Sequence, residues 1–163
     1  MSLTDHLTAT TTVDYTPGEV FAAILHVRGW WNENIIGSTD ALHDEFVFTD
    51  DSEYAGERAK ANDGIRFSRF RLIELVPGRR VVWHVVDSYL SFVDDHDEWT
   101  DTKVVFVISA TPHGATVHFT HEGLTAESEC FKECSAGWTF YVTKSLPKLI
   151  ATGAGLPMPK YDS

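Results

Sequence analysis

The chain has 163 residues, 43% hydrophobic and 12% aromatic, enough to build one globular domain with a real core and too apolar for a disordered chain. Thirteen Lys and Arg against 24 Asp and Glu give a net charge of −11, which repels phosphate backbones, so no nucleic-acid partner is expected. No apolar run approaches the roughly 20 residues of a membrane span, and Met1-Ser2-Leu3-Thr4-Asp5-His6 lacks the pattern of a signal peptide, so a cytoplasmic protein is expected.

Thr- and Val-rich residues 8–15 predict a first strand ending at Tyr15. Thr16-Pro17-Gly18-Glu19 is a capping box with Pro at the first helical position. The helix it opens carries Val20, Phe21, Ile24 and Leu25 on one face and stops near Gly29; Trp30-Trp31 follow on a second short helix before Gly37. Residues 43–49 predict a strand with Phe46 and Phe48 on one face and Val47 on the other. The polar stretch 50–64 allows a weak edge strand at about 54–60.

Residues 65–76 read as a long strand. Pro77-Gly78 turns it straight into 80–87, which makes a hairpin. Residues 88–100 form a loop or loosely paired strand. A second hairpin joins 103–110 to 115–121 across Thr111-Pro112-His113-Gly114. Then Phe131, Cys134, Trp138, Tyr141, Val142, Ser145, Leu146 and Leu149 recur at spacings of three and four, which predicts one amphipathic helix over about 127–150. Pro147 should bend its last turn. Consecutive hairpins imply an antiparallel sheet with one face covered by helices, an α+β domain spanning 1–163 with its core at about 8–151 and an irregular tail over 152–163.

Among polar residues, His121 shares a strand phase with Val117 and Phe119 and should point inward, where it would serve as a ligand contact, an acid/base or a hydrogen-bonded structural group. Arg69 and Arg71 share a strand phase; turned inward they would meet a ligand carboxylate, turned outward a Glu of the sheet. His84 and His118 alternate outward. Asp94-Asp95-His96-Asp97-Glu98 lacks the ligand periodicity of a calcium loop and reads as a solvated acidic loop. Cys130 and Cys134 suit neither a disulfide nor, even with His121, a complete metal site, and fit a reducing compartment. There is no GxGxxG unit, P-loop or GxSxG elbow, so neither cofactor nor metal is expected.

Several pieces occur together: Val20-Phe21 with Trp30-Trp31; the hairpin Glu74-Leu75-Val76-Pro77-Gly78-Arg79-Arg80-Val81-Val82-Trp83; the strand Phe119-Thr120-His121-Glu122-Gly123-Leu124; and the closing Gly137-Trp138, Ser145-Leu146 and Gly153. In this order and spacing, over about residues 8–157, the chain resembles the START/birch-pollen-allergen-like (SRPBCC) superfamily. Within it, the chain looks like the group named after the activator of the ninety-kilodalton heat-shock protein ATPase. The resemblance implies a helix-grip fold. In that fold a curved antiparallel sheet of about six or seven strands wraps a long C-terminal helix, with two short helices between strands 1 and 2.

It also implies a cavity between sheet and helix for an apolar or amphipathic small molecule. Trp30, Trp31, Phe48, Trp83 and Phe106 are candidates to line it, as are Phe119, Trp138, Tyr141 and Val142; each would otherwise fill a solid core, a question of volume. Three functions compete. One is intracellular binding of a small hydrophobic ligand. The second is a cyclase, dehydratase or hydrolase using His121, a Tyr and an Arg in the same cavity. The third is a partner domain that stimulates a chaperone ATPase. A homodimer through exposed strand edges, with 50–64 as the edge to inspect, is also expected.

Overall fold

The computed structural model of the protein describes residues 6–48, 65–90 and 94–158. The order is β1 (His6–Val13), α1 (Pro17–Leu25), α2 (Val27–Trp30), β2 (Ile35–Gly37), β3 (Glu45–Phe48), β4 (Ile65–Val76), β5 (Arg80–Leu90), β6 (Lys103–Thr111) and β7 (Gly114–Thr125). The closing helix, α3, is composite: α-helical over Phe131–Phe140, π-helical over Tyr141–Ser145 and α-helical again over Leu146–Thr152. The seven strands form one antiparallel sheet in the order β1-β7-β6-β5-β4-β3-β2. The first strand pairs with the last, so the chain ends wrap back beside its beginning, and α3 crosses the inner face.

The capping box forms as the sequence demands. Glu19 N–H donates to Thr16 Oγ1 (3.1 Å) and Thr16 N–H donates to Glu19 Oε1 (2.9 Å), which satisfies two otherwise orphaned donors at the start of α1. The helix stops at Leu25, earlier than Gly29, and α2 restarts two residues later. The strand β2 is absent from the sequence reading because three residues carry no usable alternation. The edge strand expected near 54–60 lies outside the described residues.

The start of α3 moves from 127 to Phe131 for a physical reason. A distant side chain holds the residues just before it outside the helix: Glu98 accepts from Glu129 N–H (2.6 Å) and Cys130 N–H (2.8 Å). Ser128, the nearest local cap, accepts instead from Thr125 N–H. Near the other end, Pro147 has no N–H for the fourth carbonyl back. The chain absorbs this by widening one turn into a π segment, so that Pro147 falls in the first turn of a new α-helical piece.

The tail is not loose. Met158 N–H donates to the Trp31 carbonyl and Glu33 N–H to the Met158 carbonyl, both at 2.9 Å. Ser145, buried on α3, donates its hydroxyl to the Trp30 carbonyl (2.6 Å) and accepts from Leu156 N–H (2.7 Å). A Cβ at Gly155 would sit 2.5 Å from the Gly29 carbonyl oxygen, so only glycine lets the tail run this close to α2. Ser145 thus pins α3, α2 and the tail together. Ser145→Ala is expected to lower stability by about 1–3 kcal/mol, read as a shift in the urea midpoint.

Candidate functional site

The inner face of the sheet is filled chiefly by aromatic rings. All five tryptophans in the sequence join in one run of near-parallel contacts: Trp30–Trp83, Trp83–Trp31, Trp31–Trp138 and Trp138–Trp99, with centroids 6.4, 5.9, 5.0 and 5.9 Å apart and planes within 29°. Three elements (α2, β5 and α3) and two positions outside them, Trp31 and Trp99, supply them, so the run can form only when α3 lies on the sheet. Phe106 meets Trp30 and Trp83 edge-on, and Phe119 packs against Trp138.

At the end of this run is a half-open cavity of about 130 Å³. Trp31 and Phe48 line it from the α2–β3 side, and Cys134, Gly137, Trp138 and Tyr141 from α3. Asn32, Trp99, Glu133 and Met158 complete the wall. Among the residues expected there, Trp31, Phe48, Trp138 and Tyr141 are in place. Trp30, Trp83, Phe106, Phe119 and Val142 are buried in the packed core behind it. A wider hollow of about 700 Å³, at the far end near Pro17, Gly78 and Arg79, contains none of the expected residues.

His121 points inward, as its strand phase requires, but it sits behind Trp138 and both its nitrogens are committed. Thr102 donates its only hydroxyl proton to the Trp99 carbonyl (2.5 Å), so His121 Nε2 must carry the hydrogen it shares with Thr102 Oγ1 (2.7 Å). Indole N–H is only a donor, so Trp138 Nε1 donates to His121 Nδ1 (3.1 Å). The imidazole is therefore neutral and the Nε2–H tautomer. Complete burial, with a smaller contribution from His6, lowers its pKa to about 3. His121 is a strut between two walls of the cavity, Trp138 and Trp99, and does not itself line it.

Arg69 and Arg71 do not reach the cavity. The buried phase of β4 is Ser68, Phe70 and Leu72, which places both arginines on the outer face. Arg69 lies 3.8 Å from Glu45 there, a half-exposed pair of little energetic weight. Of the polar set proposed for a reaction, His121 and the arginines thus share no common point. His84 also faces outward, 3.1 Å from Asp101.

Asn32, Trp99, Glu133, Cys134, Gly137 and Met158 also line the cavity and are not among the residues expected there. Asn32 is buried. Its Oδ1 accepts from Asn34 N–H (2.7 Å) and Asn34 Nδ2 (2.8 Å), while its NH₂ group has no partner among the described residues. Burial raises the Tyr141 pKa above its ordinary value, which keeps the phenol protonated, and its hydroxyl makes no hydrogen bond among the described residues. Cys130 and Cys134 are free thiols in mutual contact; the hydrogen bond with Cys134, then burial, push the Cys130 pKa up. Among the described residues no group of three or more His, Cys, Asp or Glu could hold a metal ion.

The chain matches no protein-family model and no curated protein. Its likeness is to solved structures. The Aha1 dimer of Colwellia psychrerythraea superposes with a TM-score of 0.67 at 17% identity, covering 93% of this chain and 99% of that one. This chain has the Aha1-like helix-grip fold of START/SRPBCC proteins. Two further helix-grip neighbours are DynU16, described as a putative protein in the dynemicin biosynthetic locus, and CalU16 from Micromonospora echinospora. DynU16 gives a TM-score of 0.62 at 14% identity, with 93% of this chain and 49% of that one covered. CalU16 gives 0.57 at 15%, with 83% and 69% covered. No helix among the described residues is long and apolar enough to cross a membrane.

Proposed function

We propose that this protein binds a small, mostly apolar molecule in the cavity between the sheet and α3. The observation that carries this reading is Gly137. It lies inside the first α-helical piece of α3, where glycine costs about 1 kcal/mol against alanine. Close packing does not require it: a Cβ there would meet nothing within 4 Å. The open space beside it is the cavity it lines. Glycine here keeps free a volume that the protein's own side chains do not fill. The adjoining π segment, which begins at the cavity residue Tyr141, supports the same reading, because such widened turns concentrate at functional sites.

A cavity of about 130 Å³ limits the occupant. An engineered apolar cavity of about 150 Å³ takes benzene, and drug-sized ligands need about 300 Å³ or more. One ring or a short acyl group fits inside; anything larger would project through the mouth. Two free buried thiols accord with a cytoplasmic setting. Homodimerisation is a second element of the proposal, supported by the dimeric Colwellia neighbour and by Ile36, 60% exposed on the edge strand β2.

Native mass spectrometry of freshly purified protein tests both parts. The wild type is expected to retain a small molecule that Gly137→Leu, which places a side chain in the cavity, excludes without loss of melting temperature. The same spectra report the subunit count. Equal retention by both proteins would place the ligand elsewhere.

A further inference from the structure

We propose that the occupant is an uncharged single-ring molecule bearing a hydrogen-bond acceptor, such as a ring-attached carbonyl, whose oxygen is held by the Asn32 NH₂ group and the Tyr141 hydroxyl. The inference rests on the cavity reading above and adds the ligand's chemistry.

Three observations lead to it. The first is a pair of polar groups, the Asn32 NH₂ and the Tyr141 hydroxyl, with no hydrogen bond among the described residues, in a wall that is mostly aromatic. The orientation of Asn32 is fixed: the Asn34 backbone N–H can only donate, so the oxygen must face it and the amide NH₂ is what remains. No hydrogen bond holds that NH₂ among the described residues, and a ligand acceptor would supply one. Tyr141 brings the second group, a hydroxyl, from α3 to the wall of the same cavity. The second observation is charge. Among the described residues Glu133 is the one acidic side chain in the wall and none there is Lys, Arg or His, and the chain carries −11 overall, which disfavours an anionic ligand. The third is ring geometry. Trp138 lies nearly parallel to both Trp31 and Trp99, at 29° and 17°, so the indole faces are turned on one another. A cation needs an open ring face; the indole edges left over favour an electron-rich acceptor.

The test uses four probes of similar size: acetophenone, ethylbenzene, benzoate and protonated benzylamine. Binding is followed by tryptophan fluorescence on the full chain. Acetophenone is expected to bind about ten-fold more tightly than ethylbenzene, with benzoate and benzylamine weaker still. Tyr141→Phe keeps the ring and removes the hydroxyl. Asn32→Asp keeps the oxygen that Asn34 needs and removes the NH₂. Each should weaken acetophenone several-fold and leave ethylbenzene nearly unchanged, with unaltered circular dichroism; if Asn32→Asp does not fold, Tyr141→Phe alone decides. The inference is overturned if ethylbenzene binds as well as acetophenone, if a charged probe binds best, or if the preference survives Tyr141→Phe. If no probe binds the wild type and fresh protein carries no small molecule, the cavity reading itself fails.

Discussion

Replacing Trp138 with alanine is expected to destabilise the protein by about 3–5 kcal/mol. Trp138 is nearly parallel to two other indoles, packs on Phe119 at 4.7 Å between centroids, and is 3% exposed. Truncation opens a large hole where α3 meets the sheet. It also leaves His121 Nδ1 buried with no donor, a further cost of about 1–3 kcal/mol. Trp138→Phe separates the two contributions, since it keeps a ring and loses the N–H. Urea unfolding followed by circular dichroism gives both numbers. A loss below about 1 kcal/mol for Trp138→Ala would mean that α3 does not lie on the sheet through this residue.

The second large effect is acid sensitivity. In the unfolded chain His121 takes up a proton near the ordinary histidine pKa of about 6.5; in the folded protein, burial holds it neutral down to about 3. Between those values the unfolded state binds more protons, so stability falls as pH drops, by up to about 1.4 kcal/mol per pH unit from this one residue. Above pH 6.5 the contribution is complete and flat; below about 3 nothing further is lost. Protonation inside the fold would set an Nδ1–H against the Trp138 indole N–H, so no rearrangement of hydrogens relieves it. Many carboxylates also titrate here, so the quantity to measure is the difference between wild type and His121→Gln across pH 3–8. That difference should shrink toward low pH. A constant difference would show that His121 is not a buried neutral group.

Much of the fold is legible in the sequence because its signals are local. The capping box at Thr16, the Pro77-Gly78 turn and the three-four spacing from Phe131 to Leu149 each specify an element without reference to distant residues. The start of α3 is set by Glu98, some thirty positions away, and so has no local signature. The strand phase of β7 correctly turns His121 inward, but phase cannot show that Thr102 and Trp138 occupy both its nitrogens. The phase of β4 puts Arg69 and Arg71 together yet leaves their side of the sheet open, and burial of Phe70 and Leu72 places them outside. Which aromatics fill the core and which meet empty space depends on volume between elements, and no spacing encodes it. One cue was available: a glycine in the middle of an apolar helical stripe, at 137, marks a position where the helix needs room.

The most direct measurement is the set of five indole N–H signals in a nitrogen–proton NMR spectrum, one for each tryptophan. Trp31, Trp99 and Trp138 line the cavity, while Trp30 and Trp83 lie behind it. On adding acetophenone, the first three signals are expected to move and the other two to stay within a small fraction of that shift, and none should move in Gly137→Leu. Shifts at Trp30 and Trp83 equal to the rest, or shifts that persist when residue 137 is leucine, would contradict a ligand site between the sheet and α3.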